Sequence, residues 1–207
     1  MPVLPMFPLG TVLLPGMVLP LHVFEPRYRQ LVADCRAGAG EFGVVLIERG
    51  HEVGGGDVRT DVGTVARIVQ SRDLPDGRHI LATVGTRRVR VERWLPDDPY
   101  PRAEVTDWPD EPPPAGAERD EQRARLQALV RRAAALRTEL GEPAPPVDLT
   151  LVDDPVMAVY QAALAAALGP ADLYDLLTAS TVAERARQLE ELLRDQIAVS
   201  EARLTGP

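Results

Sequence analysis

Short apolar runs dominate the first half of the chain, and helical spacing of apolar residues dominates the second. Apolar runs bounded by Pro, Gly or Asp-Gly predict six strands, at residues 3–9, 17–23, 42–48, 62–72, 78–95 and 100–108. Asp76-Gly77 predicts a hairpin turn between the fourth and fifth strands. Gly85 interrupts the fifth strand and predicts a bulge or a sharp bend there, as a barrel corner requires.

A helix is predicted between the second and third strands. The apolar positions that fall on one face at helical spacing are Tyr28, Leu31, Val32 and Cys35. Pro26 suits the first helical position, where its missing N–H costs nothing, and Gly38 suits the stop. We expect this helix to place its apolar face on the strands.

Four more helices are predicted after the strands. The first is long, with apolar positions from Leu126 to Leu140, and the third is short, over residues 171–178. The second starts at Pro155 after an Asp154 cap, and apolar residues cover most of its circumference, which is typical of a central bundle helix. The last starts at the capping box Thr181–Glu184.

The Pro-rich segment at residues 109–114 separates these two halves. It predicts a β-rich subdomain over residues 1–112 and a helical subdomain over residues 113–207. A Gly-rich stretch at residues 51–61 has no Lys, Ser or Thr where a phosphate cradle needs one, so we interpret it as a surface loop.

Composition narrows the classes of function. The net charge is −8, with 31 acidic residues against 23 basic ones, so bulk charge does not favour a nucleic-acid partner. Every basic residue is Arg, and the absence of Lys excludes a P-loop, a Ser-Lys peptidase dyad and a Schiff base. No other nucleophile–base set or metal-ligand spacing is present, so we predict no enzyme activity, no cofactor and no metal.

Cysteine and proline content bear on the compartment. A single cysteine, Cys35, rules out an internal disulfide framework and agrees with a cytoplasmic location. The first 24 residues carry no charge, but their prolines would break a spanning helix and no basic region precedes them. We therefore expect no membrane association.

Long motifs near the N-terminus resemble a known family. The segments FPLG, LLPG and LPLHVFEPRYRQLV, within residues 7–32, are similar to the opening signature of the Lon N-terminal, or Lon substrate-binding, domain family. Similar segments follow at residues 42–50, 62–68 and 74–91. The resemblance implies an α+β fold: a twisted, PUA-like β pseudobarrel with one helix, followed by a C-terminal four-helix bundle. It also implies a role in polypeptide recognition, here expected in a stand-alone protein without ATPase or peptidase domains.

Two alternatives to polypeptide recognition stay open. An RNA-associated PUA-like protein would use the basic run Arg87, Arg88, Arg90 and Arg93, which otherwise forms a solvated strand face paired with nearby acids. A hydrolase with an unrecognised site is the other. The acidic balance disfavours the first alternative, and the missing nucleophile–base pair disfavours the second.

The predicted peptide-binding residues flank the proline-broken strands near the N-terminus. They are Phe7, Leu9, Leu13, Leu14 and Met17. Pro blocks ladder pairing and leaves loops whose apolar side chains we expect to be exposed to a client segment. The alternative is that these residues fill the barrel. Replacing Leu13 and Leu14 by Ser distinguishes the two interpretations, since only buried leucines would cost much stability.

Overall fold

A computed structural model describes residues 1–50, 52, 56–111, 116–146 and 148–206 of the chain. Two compact units are present, Met1–Pro109 and Asp110–Pro207. The predicted boundary between residues 112 and 113, and residues 51 and 53–55 of the Gly-rich stretch, lie outside the described residues. The boundary therefore stays a prediction.

The described residues of the first unit form six strands and one helix. In chain order these are β1 (Val3–Leu9), β2 (Val18–Val23), α1 (Pro26–Ala37), β3 (Glu41–Arg49), β4 (Val58–Asp73), β5 (His79–Leu95) and β6 (Arg102–Asp107). The strand order is β2-β5-β4-β3-β1-β6, and β5 also pairs with β6. This second pairing closes five strands into a pseudobarrel and leaves β2 outside the ring. The predicted fold class is confirmed.

Pairing in the sheet is antiparallel except between β1 and β3, which run parallel. The β4–β5 register shifts between the pairs Val65–Arg87 and Ala66–Gly85, which places an irregularity where Gly85 predicts one. A Cβ built on Gly85 would lie 2.3 Å from the carbonyl oxygen of Leu14. Glycine is required here because the loop after β1 crosses directly over β5.

Two buried clusters fill the first unit. One gathers the apolar face of α1 with Phe7, Phe42 and Leu81, and the other contains Met6 and Val45 with inward residues of β4, β5 and β6. Successive strand residues point to opposite faces, so the neighbours Met6 and Phe7 belong to different clusters. The predicted contact of α1 with the strands is confirmed.

In the part of the second unit that the structure describes there are four helices, α2 (Ala117–Glu139), α3 (Pro155–Ala166), α4 (Pro170–Thr178) and α5 (Val182–Thr205). Helix α5 packs against the other three. Asp154 caps α3 by accepting a hydrogen bond from the Met157 N–H at 2.8 Å, and Thr181 caps α5 by accepting from the Glu184 N–H at 3.1 Å. Both predicted caps are confirmed.

Arg185 is the largest fully buried side chain of the helical unit. Its guanidinium lies 4.5 Å from the centre of the Tyr160 ring and donates to the Leu176 carbonyl at 2.8 Å. It also donates to the Asp110 carboxylate at 2.7 Å. A buried cation is tolerated because a carboxylate and a carbonyl replace its water shell.

No helix within the described ranges is both long enough and apolar enough to cross a membrane.

Candidate functional site

The structure places the predicted binding residues in or against the core of the first unit. Leu13 and Leu14 are 1% and 0% exposed, and Phe7 and Leu9 are also buried. Met17 is partly buried against the same cluster. The expectation that Leu13 and Leu14 are exposed is wrong, because the loop that carries them is pressed onto β5 at Gly85. Peptide binding by the predicted set stays a prediction.

Strand β2 has an exposed apolar face, unlike the loop that carries Leu13 and Leu14. Its alternate residues point to opposite sides: Leu19 and Val23 are buried, whereas Val18 is 60% exposed. Phe24, directly after the strand, is 51% exposed, and Pro20 and His22 between them are also exposed. The rings of His22 and Phe24 meet edge to face with centroids 6.5 Å apart. Three of the four outward residues are therefore apolar.

Strand β2 is also an edge strand, which pairs only with β5 among the described residues. The carbonyl of Met17 accepts from the Gly85 N–H, and that of Leu19 accepts from the Thr83 hydroxyl, so both point towards β5. Main-chain groups alternate in direction along an antiparallel strand. The polar main-chain groups of Val18, Pro20 and His22 therefore point away from the sheet, and Pro20 contributes no N–H.

A groove of about 160 Å³ lies beside β2. It is lined by Phe7, Leu9, Pro20, Leu21, His22, Val23, Phe24, Glu25, Tyr28 and Glu52. This volume is below the roughly 300–1,000 Å³ of small-molecule pockets. The groove is sized for a single apolar side chain of a longer ligand rather than for a cofactor. Two of the predicted residues, Phe7 and Leu9, line this groove even though they are mostly buried.

Stacked aromatic rings form the rigid wall of this groove. The rings of Phe7 and Tyr28 lie 4.1 Å apart and are tilted by 11°, so β1 and α1 are joined at this point. The Arg27 guanidinium lies 4.5 Å from the centre of the Tyr28 ring and pairs with Glu25 at 3.1 Å. Burial raises the pKa of Tyr28 to about 12, and the nearby Arg27 opposes that shift. The ring remains protonated and acts as a neutral wall at physiological pH.

Glu52 is the lining residue of the groove that contacts both β1 and α1. Its carboxylate accepts a hydrogen bond from the Gly10 N–H, with 2.5 Å between Oε1 and N. Its main-chain carbonyl accepts from Nη2 of Arg27 at 3.4 Å. Glu52 therefore connects the end of β1 with the start of α1.

The structure bears on metal binding and on the reactivity of the single cysteine. No group of three or more His, Cys, Asp or Glu side chains in those ranges is arranged to hold a metal ion. Burial raises the pKa of Cys35 to about 12, and its thiol donates to the Glu41 carbonyl at 3.3 Å. A buried, protonated thiol is a packing residue and not a nucleophile.

The basic run on β5 is engaged within the first unit. Arg87 pairs with Glu41 at 2.9 Å and with Asp107 at 3.0 Å. Arg90 lies 3.7 Å from the centre of the Trp108 ring. Burial alone would raise the pKa of Glu41, but the hydrogen bonds from Arg87 and Arg67 outweigh it and lower that pKa. These contacts support the structural interpretation of the run over an anion-binding one. The expectation of a solvated face is wrong for Arg88, which is buried against the Trp108 ring.

The geometry defines a class of protein: a β pseudobarrel with an apolar edge strand, accompanied by a helical unit. A family model described as the ATP-dependent protease La (LON) substrate-binding domain matches residues 3–195. The chain belongs to this family, which confirms the resemblance drawn from its N-terminal motifs.

Curated relatives are longer proteins. The chain is 32% identical to the Lon protease of Flavobacterium johnsoniae over 113 residues, which are 53% of this chain and 14% of that protein. It is 33% identical to Lon protease 2 of Myxococcus xanthus over 141 residues, which are 67% of this chain and 17% of that protein. The chain thus spans less than a fifth of the length of either relative.

Solved structures match almost the whole chain. A Lon N-terminal domain protein from Xanthomonas campestris is 31% identical, with a TM-score of 0.64 over 94% of this chain and 98% of that one. The N-terminal domain of a Mycobacterium avium complex Lon protease gives a TM-score of 0.68 over 94% and 99% of the two chains. At 23% identity the second match shows the shared fold alone.

Sequence reasoning missed the outward face of β2. The signal was available as the alternation of residues 18–24, in which every second position packs inward. It was hidden because both faces of the strand carry apolar residues. Which face is exposed to solvent depends on packing against α1, which follows β2 in the chain, and on pairing with β5, which is distant in sequence.

Proposed function

We propose that this domain binds extended, apolar segments of polypeptide along β2 and in the adjoining groove. The observation that carries the proposal is the exposed apolar face of an edge strand, whose outer side has no partner strand among the described residues. An extended segment can hydrogen-bond to the outward main-chain groups of β2 while one of its side chains enters the groove. The family description as a substrate-binding domain supports the same role.

Recognition without catalysis is the second part of the proposal. The chain contains no Lys, so none of its residues can supply the lysine of a P-loop or of a Ser-Lys dyad. We assign ATP hydrolysis and peptide cleavage to none of these 207 residues. Incubation of the protein with ATP and casein should yield neither ADP nor casein fragments, and ATP-dependent cleavage would contradict this part. A cytoplasmic location stays a prediction from the single cysteine.

A binding experiment tests the site directly. Fluorescence anisotropy with a labelled, uncharged, apolar peptide should show saturable binding to the unaltered protein. Val18→Ser should weaken binding by about fivefold to tenfold, because one buried aliphatic contact contributes on the order of 1 kcal/mol. Val69→Ser is the matched control, since Val69 is 57% exposed and Val18 is 60% exposed, but Val69 lies on β4 and not on the edge strand β2. Equal losses in the two variants would place binding elsewhere.

A further inference from the structure

The Glu52 carboxylate accepts a hydrogen bond from the main-chain N–H of Gly10, which is next to the groove-lining residue Leu9. Gly10 follows Leu9, the last residue of β1 that pairs with β3. Its N–H is bound to the Glu52 carboxylate, and a Cβ built on Gly10 would lie 3.2 Å from the same oxygen. The two residues are 42 positions apart, so this contact is tertiary rather than a local turn.

The Gly10 N–H is also a suitable hydrogen-bond donor for an extended ligand. A polypeptide that lies in the groove beside Leu9 carries carbonyl oxygens at intervals along its length, and an unpaired strand-end N–H is the natural partner for one of them. The Glu52 carboxylate and such a carbonyl cannot both occupy the best position in front of one N–H. Binding at this end of the groove therefore requires that Glu52 move or that the ligand forgo the contact.

We propose that Glu52 is an intramolecular competitor that limits access of polypeptide to the groove. The inference rests on the function proposed above and adds a residue that regulates it. A hydrogen bond to a carboxylate is roughly twice as strong as one to a neutral acceptor, so a single ligand carbonyl does not displace Glu52 by itself. Displacement needs the further contribution of apolar contacts with the groove, and this requirement selects for segments that fill it.

Removal of the competitor gives the test. Glu52→Ala frees the Gly10 N–H and should tighten binding of the uncharged apolar peptide by about threefold to tenfold, the value of roughly one hydrogen bond. Glu52→Gln retains a neutral acceptor and should give a smaller gain. Glu48→Gln is the control for the change in net charge, because Glu48 is exposed on β3 and does not line the groove; it should leave the affinity unchanged.

Hydrogen exchange checks the contact independently of any ligand. The Gly10 amide should exchange faster in Glu52→Ala than in the unaltered protein, while amides in the middle of β3 keep their rates. Unchanged exchange at Gly10 would overturn the inference. So would a weaker affinity in Glu52→Ala, which would make Glu52 a ligand contact.

The result also separates the inference from the proposed function. If the unaltered protein and Glu52→Ala bind the peptide equally well, the competitor role is wrong and polypeptide recognition stands. If neither binds, both proposals fail. If only Glu52→Ala binds, both are supported.

Discussion

Replacing Leu13 and Leu14 together by Ser should unfold most of the first unit. Both side chains are fully enclosed, in the loop that crosses β5. Each truncation removes aliphatic contacts worth about 2–5 kcal/mol, and each new hydroxyl that finds no partner costs about 1–3 kcal/mol more. Neighbouring sites couple, so the sum is not strictly additive, but a total above about 5 kcal/mol is expected. That is comparable with the whole stability of a typical domain, about 5–15 kcal/mol.

The chain offers a convenient probe for this experiment. Its two tryptophans, Trp94 and Trp108, both belong to the first unit, so their fluorescence during urea titration reports the unit that carries the change. The double variant should show a transition at much lower urea, or none. A midpoint that corresponds to a loss under about 1 kcal/mol would refute the reasoning from burial, because such a small cost is typical of surface positions.

The matched experiment uses the outward residues of β2. Val18→Ser combined with Phe24→Ser changes side chains that are more than half exposed, so the free energy of unfolding should fall by about 1 kcal/mol or less. Peptide binding should nevertheless weaken by more than in Val18→Ser alone. A large loss of stability in this variant would mean that the face is covered, and the proposed site would then be wrong.

Two further outcomes are expected within the first unit. Gly85→Ala should destabilise it by about 1–3 kcal/mol or more, as at an overpacked core site, because the new methyl group meets the Leu14 carbonyl, and urea titration measures the loss. Tyr100→Phe removes a 2.6 Å hydrogen bond that holds the pKa of Asp34 below 3.8. A carboxyl group whose pKa is lower in the folded than in the unfolded protein stabilises the fold at pH values above its unfolded pKa. This stabilisation is lost as the pH falls through the folded pKa. The difference in the free energy of unfolding between the unaltered protein and Tyr100→Phe should therefore be largest at neutral pH and disappear below about pH 4. A difference that does not depend on pH would contradict this assignment.

Local signals explain why the helices and strands were predictable. Pro26 and Gly38 bound α1 through their own backbone preferences, and Asp154 and Thr181 cap the helices that follow them. Each of these effects acts within one turn of helix, so the sequence contains the whole cause. The same holds for the turn at Gly77, whose φ of 79° favours glycine.

Strand order and the candidate site depend on contacts between distant segments. The parallel β1–β3 pair and the edge position of β2 result from closure of the ring through β5 and β6, and no local pattern specifies this closure. A contact with a distant segment also explains why the burial of Leu13 and Leu14 was not predicted. A loop between prolines is typical of a surface, yet Gly85, some 70 residues later, leaves the space in which this loop becomes core.

Pro20 has a consequence for solution behaviour. An apolar strand with one open edge is a template on which further copies of the same chain could add, as happens in amyloid growth. Pro20 lies in the middle of the outer edge of β2 and has no N–H to donate there. An incoming strand therefore cannot form a continuous hydrogen-bonded ladder along β2. A short client segment needs only the positions on one side of the gap. The interruption thus favours brief, local pairing over propagation, and Pro20→Val should make the protein more prone to aggregate at high concentration.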